Sequence, residues 1–244
     1  MEYFFEIHKD LPREGPGNNE TTRKAFFFLK DLPSHPLILD VGCGTGMQTI
    51  QLAKLIEGKI IALDNHQPFL DQLKMSAEKE GVVDKIETVN KSMFSIDFDY
   101  DSFDVIWSEG AIYIYGFEKA LVDWKRLLRK GGYLVASEFS SILPDLPKEA
   151  SNFLKEVYPD IKTITQNLEI IRKAGYSLIK YLHLPKSGWE DYFIPIEART
   201  SDLKKKYQGN KGASDVIDAE LREMHLLRKY YEYHDYIFYI LQNK

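Results

Sequence analysis

A single cysteine, Cys43, in 244 residues leaves no intrachain disulfide framework to consider. No apolar run approaches the roughly 20 residues that a membrane-spanning helix needs, so no membrane partner is expected. Positive charge is not in excess. The chain has 32 Lys and Arg against 37 Asp and Glu, a formal net charge of −5, so no global field draws in nucleic acid. The six histidines lack the HxxxH-type spacing with a paired acid that a metal site would need, and no metal is expected. The one dense basic run, Lys204-Lys205-Lys206 with Lys211, is diluted by Glu197, Asp202 and Asp215 and reads as a solvated helix face. Internal repeats and low-complexity segments are missing too. The opening stretch MEYFFEIHKDLPREGPG carries acidic residues and no uninterrupted apolar segment. No signal peptide is therefore expected, and a cytoplasmic location is.

What is present is a 44% apolar composition, enough for one well-buried core. Short β-rich apolar runs stand at Leu37–Val41, Lys59–Asp64, Lys85–Val89, Phe103–Ser108 and Tyr133–Glu138. Between them, helical spacing runs over about Met47–Ile56, Pro68–Lys79 and Phe117–Leu128, with Gly131-Gly132 read as the turn closing the last of these. Strands apolar on both faces, alternating with amphipathic helices, predict a doubly wound, Rossmann-like α/β sheet. A helix is expected at Glu20–Leu32 ahead of the first strand, and a loop-rich stretch at Ser140–Asp160. A helix at Ile164–Ala174 and strands at Tyr176–Leu182 and Tyr236–Leu241 follow, giving seven strands, the C-terminal one antiparallel. About fifty residues separate those two strands, too many for a structureless loop, so two helices are expected near Trp189–Tyr207 and Ser214–Tyr233. The organisation is one domain, 1–244. It has an N-terminal segment 1–34, a ligand-binding core 35–140 and a helical insertion 185–234.

The chemistry concentrates where the first strand runs into Gly42-Cys43-Gly44-Thr45-Gly46 and a helix begins. Such a turn brings backbone close to a bound nucleotide because no Cβ stands in the way. Met47 stands where a GxGxxG dinucleotide fingerprint wants its last glycine, and no GKS/T follows, which excludes a P-loop. Asp40, just before the turn, is unhelpful to a pyrophosphate but suits a ligand with an ammonium group and no phosphate. Asp64, at the end of the second strand, is placed to accept both hydroxyls of a ribose. The fourth strand, Phe103–Ser108, should deliver Glu109-Gly110-Ala111 to the same crevice.

Taken in order, Asp40–Gly46, Asp64, Phe103-Asp104-Val105-Ile106 and Leu128–Leu134 resemble the class I S-adenosylmethionine-dependent methyltransferases. Within that superfamily the chain is similar to the small-molecule methylases of the ubiquinone/menaquinone type. The resemblance implies S-adenosyl-L-methionine as cofactor and S-adenosyl-L-homocysteine as product. It implies a binding set of Asp40, Gly42, Gly44, Gly46, Asp64, Asn65, Ser92, Met93 and Ser108. Asp40 and the glycines would surround the methionine part, and Asp64 would hold the ribose. The family normally offers an acid or amide to the adenine after the third strand. Here Asn90-Lys91-Ser92-Met93-Phe94 has no acid at that place, which leaves Ser92 for the adenine edge and Met93 for its face.

The acceptor is expected to be a small molecule that attacks the sulfonium methyl of the cofactor in line, with no covalent enzyme intermediate. Glu109 is the candidate to orient or deprotonate it, or else caps the next turn. Tyr113, Trp189 and Tyr192 are candidates for the acceptor wall, and Arg13–Gly17 for a turn that brings the N-terminal segment over the site. Cys43 reads as a small buried residue and not a nucleophile. Two other classes stay open: a non-catalytic S-adenosylmethionine-binding protein, and a nicotinamide-dependent oxidoreductase, against which Asp40 and Met47 argue. Nucleic-acid methylation is disfavoured because Ser108-Glu109-Gly110-Ala111 stands where an Asn-Pro-Pro-aromatic motif would be. A monomer and a homodimer are equally compatible with the sequence.

Overall fold

Strands that are apolar on both faces need helices on both sides, and the chain supplies them in alternation. The computed structural model describes residues 2–143 and 146–244. In chain order it runs α1 (Glu2–His8), α2 (Asn19–Phe26), β1 (Leu37–Val41), α3 (Met47–Ala53), β2 (Lys59–Asp64), α4 (Gln67–Lys79), β3 (Ile86–Asn90) and β4 (Phe103–Ser108). Then come α5 (Ile112–Tyr115), α6 (Phe117–Asp123), β5 (Leu128–Ser141), α7 (Lys148–Val157), β6 (Lys162–Thr163) and α8 (Ile164–Lys173). The chain closes with β7 (Tyr176–His183), α9 (Lys186–Lys206), α10 (Lys211–Lys229) and β8 (His234–Asn243).

The sheet order is β3-β2-β1-β4-β5-β8-β7, with the two-residue β6 paired to the end of β5. β1 to β5 pair parallel, while β8 inserts antiparallel between β5 and β7. One face packs Ala25 of α2, Ile50 and Leu52 of α3, Leu70 and Leu73 of α4, and Trp189, Phe193 and Met224 of α9 and α10. The other face packs Phe117, Ala120 and Leu121 of α6 with Ile170 and Ile171 of α8. The strand order reverses between β1 and β4, whose Asp40 and Trp107 stand in register. Open α/β sheets bind ligands at the carboxyl ends of such a pair.

Several elements differ from the sequence expectation. β5 begins at Leu128, not Tyr133, and α6 stops at Asp123 before a 3₁₀ turn at Lys125–Leu127. Gly131-Gly132 therefore does not close a helix. The β4–β5 register jumps there from Phe103↔Leu128 to Val105↔Tyr133, and Gly131 takes φ +80° inside a bulge. The segment expected as α2 through Leu32 breaks after Phe26 into i→i+3 turns, where Phe28 N–H donates to Ala25 O and Leu29 N–H to Phe26 O. Asn18 caps its start by accepting the Thr21 N–H at 2.8 Å. The stretch expected as loop carries α7, whose apolar stripe Ala150, Phe153 and Leu154 is buried. Residues 144–145 of that stretch lie outside the described residues. α1 was not expected from the sequence. No helix among the described residues is long and apolar enough to cross a membrane.

Candidate active site

At the switch point a cavity of about 680 Å³ opens between the glycine turn, the loops after β2, β3 and β4, and the two helices of the insertion. That volume falls in the range, roughly 300–1,000 Å³, of small-molecule sites. Gly42 and Gly44 line it, and Gly46 starts α3 with φ +84°. Asp64 is fixed on both oxygens: Oδ2 accepts the Gly44 N–H and Oδ1 the His66 N–H, each at 2.9 Å. Each oxygen keeps a second lone pair, and the residue lines the cavity. Asp40 lies behind the turn, fully buried, where Oδ2 accepts from Thr49 Oγ1 at 2.6 Å and from Gln48 Nε2 at 3.3 Å. Burial pushes its carboxyl up to about 7 against those two donors, and Oδ1 has no partner. Gln48 also donates to the Cys43 carbonyl at 2.9 Å and reaches the cavity wall, so it links Asp40 to the turn. Burial likewise lifts the Cys43 thiol, in keeping with an inert residue.

The N-terminal segment crosses this turn. Thr45 Oγ1 donates to the Pro12 carbonyl at 2.9 Å, and Gln72 Nε2 to the Leu11 carbonyl at 2.9 Å. The Gly17 N–H donates to the Gly188 carbonyl at 3.0 Å. Glu14 lies on Gly44: a Cβ there would meet its Cγ at 3.2 Å. Glu14 Oε2 sits 2.9 Å from His8 Nδ1, while Oε1 is buried without a partner. Burial raises the Glu14 carboxyl, and the neighbouring His8 only partly opposes this. Phe5 of α1 stacks on His66 with ring centroids 4.5 Å apart, so α1 roofs the side of the cavity that holds Asp64.

Glu109 is the junction of these parts. Its Oε1 accepts from Thr22 Oγ1 at 2.7 Å and from Trp107 Nε1 at 2.9 Å, and Oε2 faces Arg13 at 3.3 Å. Burial raises its carboxyl despite the Arg13 guanidinium beside it. A carboxylate with three donors already on it, one of them a cation, is poorly free to take a proton from a ligand. It ties the N-terminal segment to β4. Toward β5 and β8 the cavity is walled by Tyr113, Trp189, Tyr192 and Tyr236, with Glu220 and Glu223 from α10. Trp189 Nε1 donates to Asp235 at 3.2 Å, which seats α9 on β8.

Residues 38–132 match the family model of a methyltransferase domain. The chain is 31% identical over 149 residues to a ubiquinone/menaquinone biosynthesis C-methyltransferase of Francisella tularensis subsp. novicida, covering 59% of this chain and 60% of that one. It is 23% identical over 192 residues to a sterol 24-C-methyltransferase of Gibberella zeae, covering 71% of this chain and 50% of the relative. The chain thus spans only about half to three fifths of these curated relatives. A methyltransferase of Geobacter sulfurreducens, crystallised with S-adenosyl-L-homocysteine, superposes over 100% of this chain and 98% of its own with a TM-score of 0.87, at 20% identity. Residues 38–132 thus carry the match to a methyltransferase domain, and the fold of the whole chain is that of the methyltransferase structure.

The residues singled out in the sequence fall into two groups. Gly42, Gly44, Asp64, Asn65, Ser92 and Met93 line the cavity, as do Glu109, Tyr113, Trp189 and Tyr192. Asp40, Gly46 and Ser108 do not. Asp40 is turned to Thr49, Gly46 packs on Leu73, and Ser108 Oγ donates to the Val41 carbonyl at 2.9 Å. These three brace the turn and the strand ends from behind. Ser92 caps the 3₁₀ turn Met93–Ser95 through the Phe94 N–H, and Met93 lies against the place a Cβ on Gly42 would occupy. Sequence reasoning missed Glu14, Gln48, Glu220, Glu223 and Tyr236. Gln48 had a local signal, since it lies in the first turn of the helix that follows the glycines, and Glu14 had a weaker one as part of the Arg13–Gly17 turn.

Proposed function

We propose that this chain transfers a methyl group from S-adenosyl-L-methionine to a small-molecule acceptor. The observation that carries the reading is the Asp64 carboxylate, held by two backbone N–H groups and facing the cavity beside the glycine turn. An acid so fixed suits a ribose diol and repels a 2′-phosphate. The orphaned Glu14 Oε1, lying on Gly44, offers an acceptor to the ammonium of the methionine part. In this reading Asp40 acts through Gln48 and Thr49 by stiffening the turn, and touches no ligand. Ser92 and Met93 are left for the adenine, and Tyr113, Trp189 and Tyr192 for the acceptor side.

The bound sulfonium supplies an already activated methyl group. The chain's own work is therefore orientation and exclusion of water, which in favourable intramolecular systems contributes roughly 7–11 kcal/mol. Glu109, engaged by Arg13, Thr22 and Trp107, positions the N-terminal segment over the reacting groups.

Titration calorimetry with S-adenosylhomocysteine and, separately, NAD tests the reading. Binding of the first and not the second is expected. Asp64→Ala should weaken binding by about 10- to 100-fold, the ~1.5–3 kcal/mol of hydrogen bonds to a charged group. An unchanged dissociation constant, with the circular dichroism intact, overturns the placement of the ribose.

A further inference from the structure

Four aromatic side chains and two carboxylates close the end of the cavity toward β5 and β8. Tyr113, Trp189, Tyr192 and Tyr236 line it, and α10 adds Glu220 and Glu223, three positions apart and so on one helix face. The Arg and Lys residues on the cavity wall are already engaged, Arg13 by Glu109 and Lys91 by Asp97. His8 is taken by Glu14. Among the described residues, the ion pairs of α10 run through Lys211–Asp215, Asp218–Lys204, Arg228 with Glu190 and Glu197, and Lys229–Glu149, and none reaches Glu220 or Glu223. Glu223 accepts the Tyr158 hydroxyl at 2.7 Å, and burial raises the Glu220 carboxyl, opposed by the charge of the His8 ring.

A further carboxyl group stands past this wall. Tyr113, Val157 and Tyr158 border a second cavity of about 620 Å³, which Glu138 lines from the end of β5. Glu138 Oε2 is buried with no hydrogen-bond partner. Burial lifts that carboxyl to about 8, opposed only by the charge of Lys162. Burial, and then the nearby carboxylates, also hold the phenols of Tyr113, Tyr192 and Tyr236 above their ordinary range. An acidic, aromatic chamber in which Arg13 and Lys91 are already paired is poorly matched to an anion, which it repels. A neutral apolar guest would leave buried carboxylates unpaired. A cation answers both the charge and the π faces.

We propose that the methyl acceptor is a small molecule bearing a protonated amine, bound with its ammonium group between Glu220 and Glu223 and against the faces of Tyr113, Trp189, Tyr192 and Tyr236. This rests on the methyl transfer proposed above and names its substrate class. The ammonium yields a proton to one of the two carboxylates, which frees the nitrogen lone pair. The N–C bond then forms as the C–S bond breaks, with the electron pair staying on sulfur, and the carboxyl returns its proton to water. Burial, with Glu223 beside it, raises the Glu220 carboxyl and so makes it the better acceptor for that proton.

The test is calorimetry on the chain saturated with S-adenosylhomocysteine, using phenethylamine and tryptamine against their neutral counterparts 2-phenylethanol and tryptophol. The amines should bind at least tenfold more tightly than the alcohols. The double variant Glu220→Gln/Glu223→Gln should lose that preference while its affinity for S-adenosylhomocysteine is unchanged, which also shows that it folds. Alcohols binding as well as amines, a double variant that keeps the preference, or no amine binding at all overturns the proposal. Failure of S-adenosylhomocysteine itself to bind is a different result. It removes the methyltransferase reading, and the amine titration repeated without it then judges the charged chamber alone.

Discussion

A methyl group added at residue 46 would sit 2.1 Å from Leu73 Cδ1, whereas one added at residue 131 would meet nothing within 4 Å. Both glycines hold a positive φ, +84° and +80°. Gly131→Ala therefore carries only the left-handed backbone penalty of roughly 1–2 kcal/mol. Gly46→Ala adds to it the overpacking of a core leucine, typically a further ~1–3 kcal/mol. Urea unfolding should show Gly46→Ala as the more destabilised of the two, with the added loss traceable to Leu73. Equal losses would mean that α4 yields without cost. The same scale explains why Asp40 stands apart from the cavity. Its place beside the glycines is visible in the chain order, but the direction of its side chain is set by Thr49 and Gln48 one helix turn later.

Among the elements, α9 depends on one anchor. Trp189 is buried between Phe139, Phe193 and Tyr236 and donates its indole N–H to Asp235. Trp189→Phe keeps most of the apolar contact and removes that donor, leaving Asp235 with His183 alone. A loss of about 1–3 kcal/mol in chemical denaturation is expected; no loss would show that the indole nitrogen does not seat the helix. β1, β2 and β4 were legible in the sequence because Ile38-Leu39, Ile60-Ile61-Ala62 and Val105-Ile106-Trp107 are apolar on both faces. The start of β5 was not, because Arg129-Lys130-Gly131-Gly132 has the composition of a helix stop and acts as a strand bulge instead. The glycine turn and Asp64 were legible for a similar reason: they follow strands that can be read directly. Glu220, Glu223 and Tyr236 reach the cavity only through packing between segments far apart in the chain, and no local pattern marks them.

Over the whole molecule, two buried carboxyls set a pH dependence. Glu138 is lifted to about 8 and Asp40 to about 7, both chiefly by burial. A carboxyl whose folded value is raised gives its full stabilising share only below its unfolded value, and loses it as pH climbs through the folded one. His234, lowered to about 4 by burial, works in the opposite direction, but only below its ordinary value of 6.5. Between pH 6.5 and 8 the melting temperature should therefore fall. Glu138→Gln, which leaves Lys162 and the surrounding tyrosines in place, should flatten that slope. An identical slope in wild type and variant would place the Glu138 titration outside this range.

α1 spans seven residues, fewer than a helix needs to hold its shape in water. Its order is borrowed: Phe5 leans on His66 beneath it, and Glu6 is gripped by Lys206, Tyr207 and the Arg199 guanidinium above. One short hasp thus fastens the cavity wall beside Asp64 to the helices of the insertion. Whatever steadies either side lends firmness to the other.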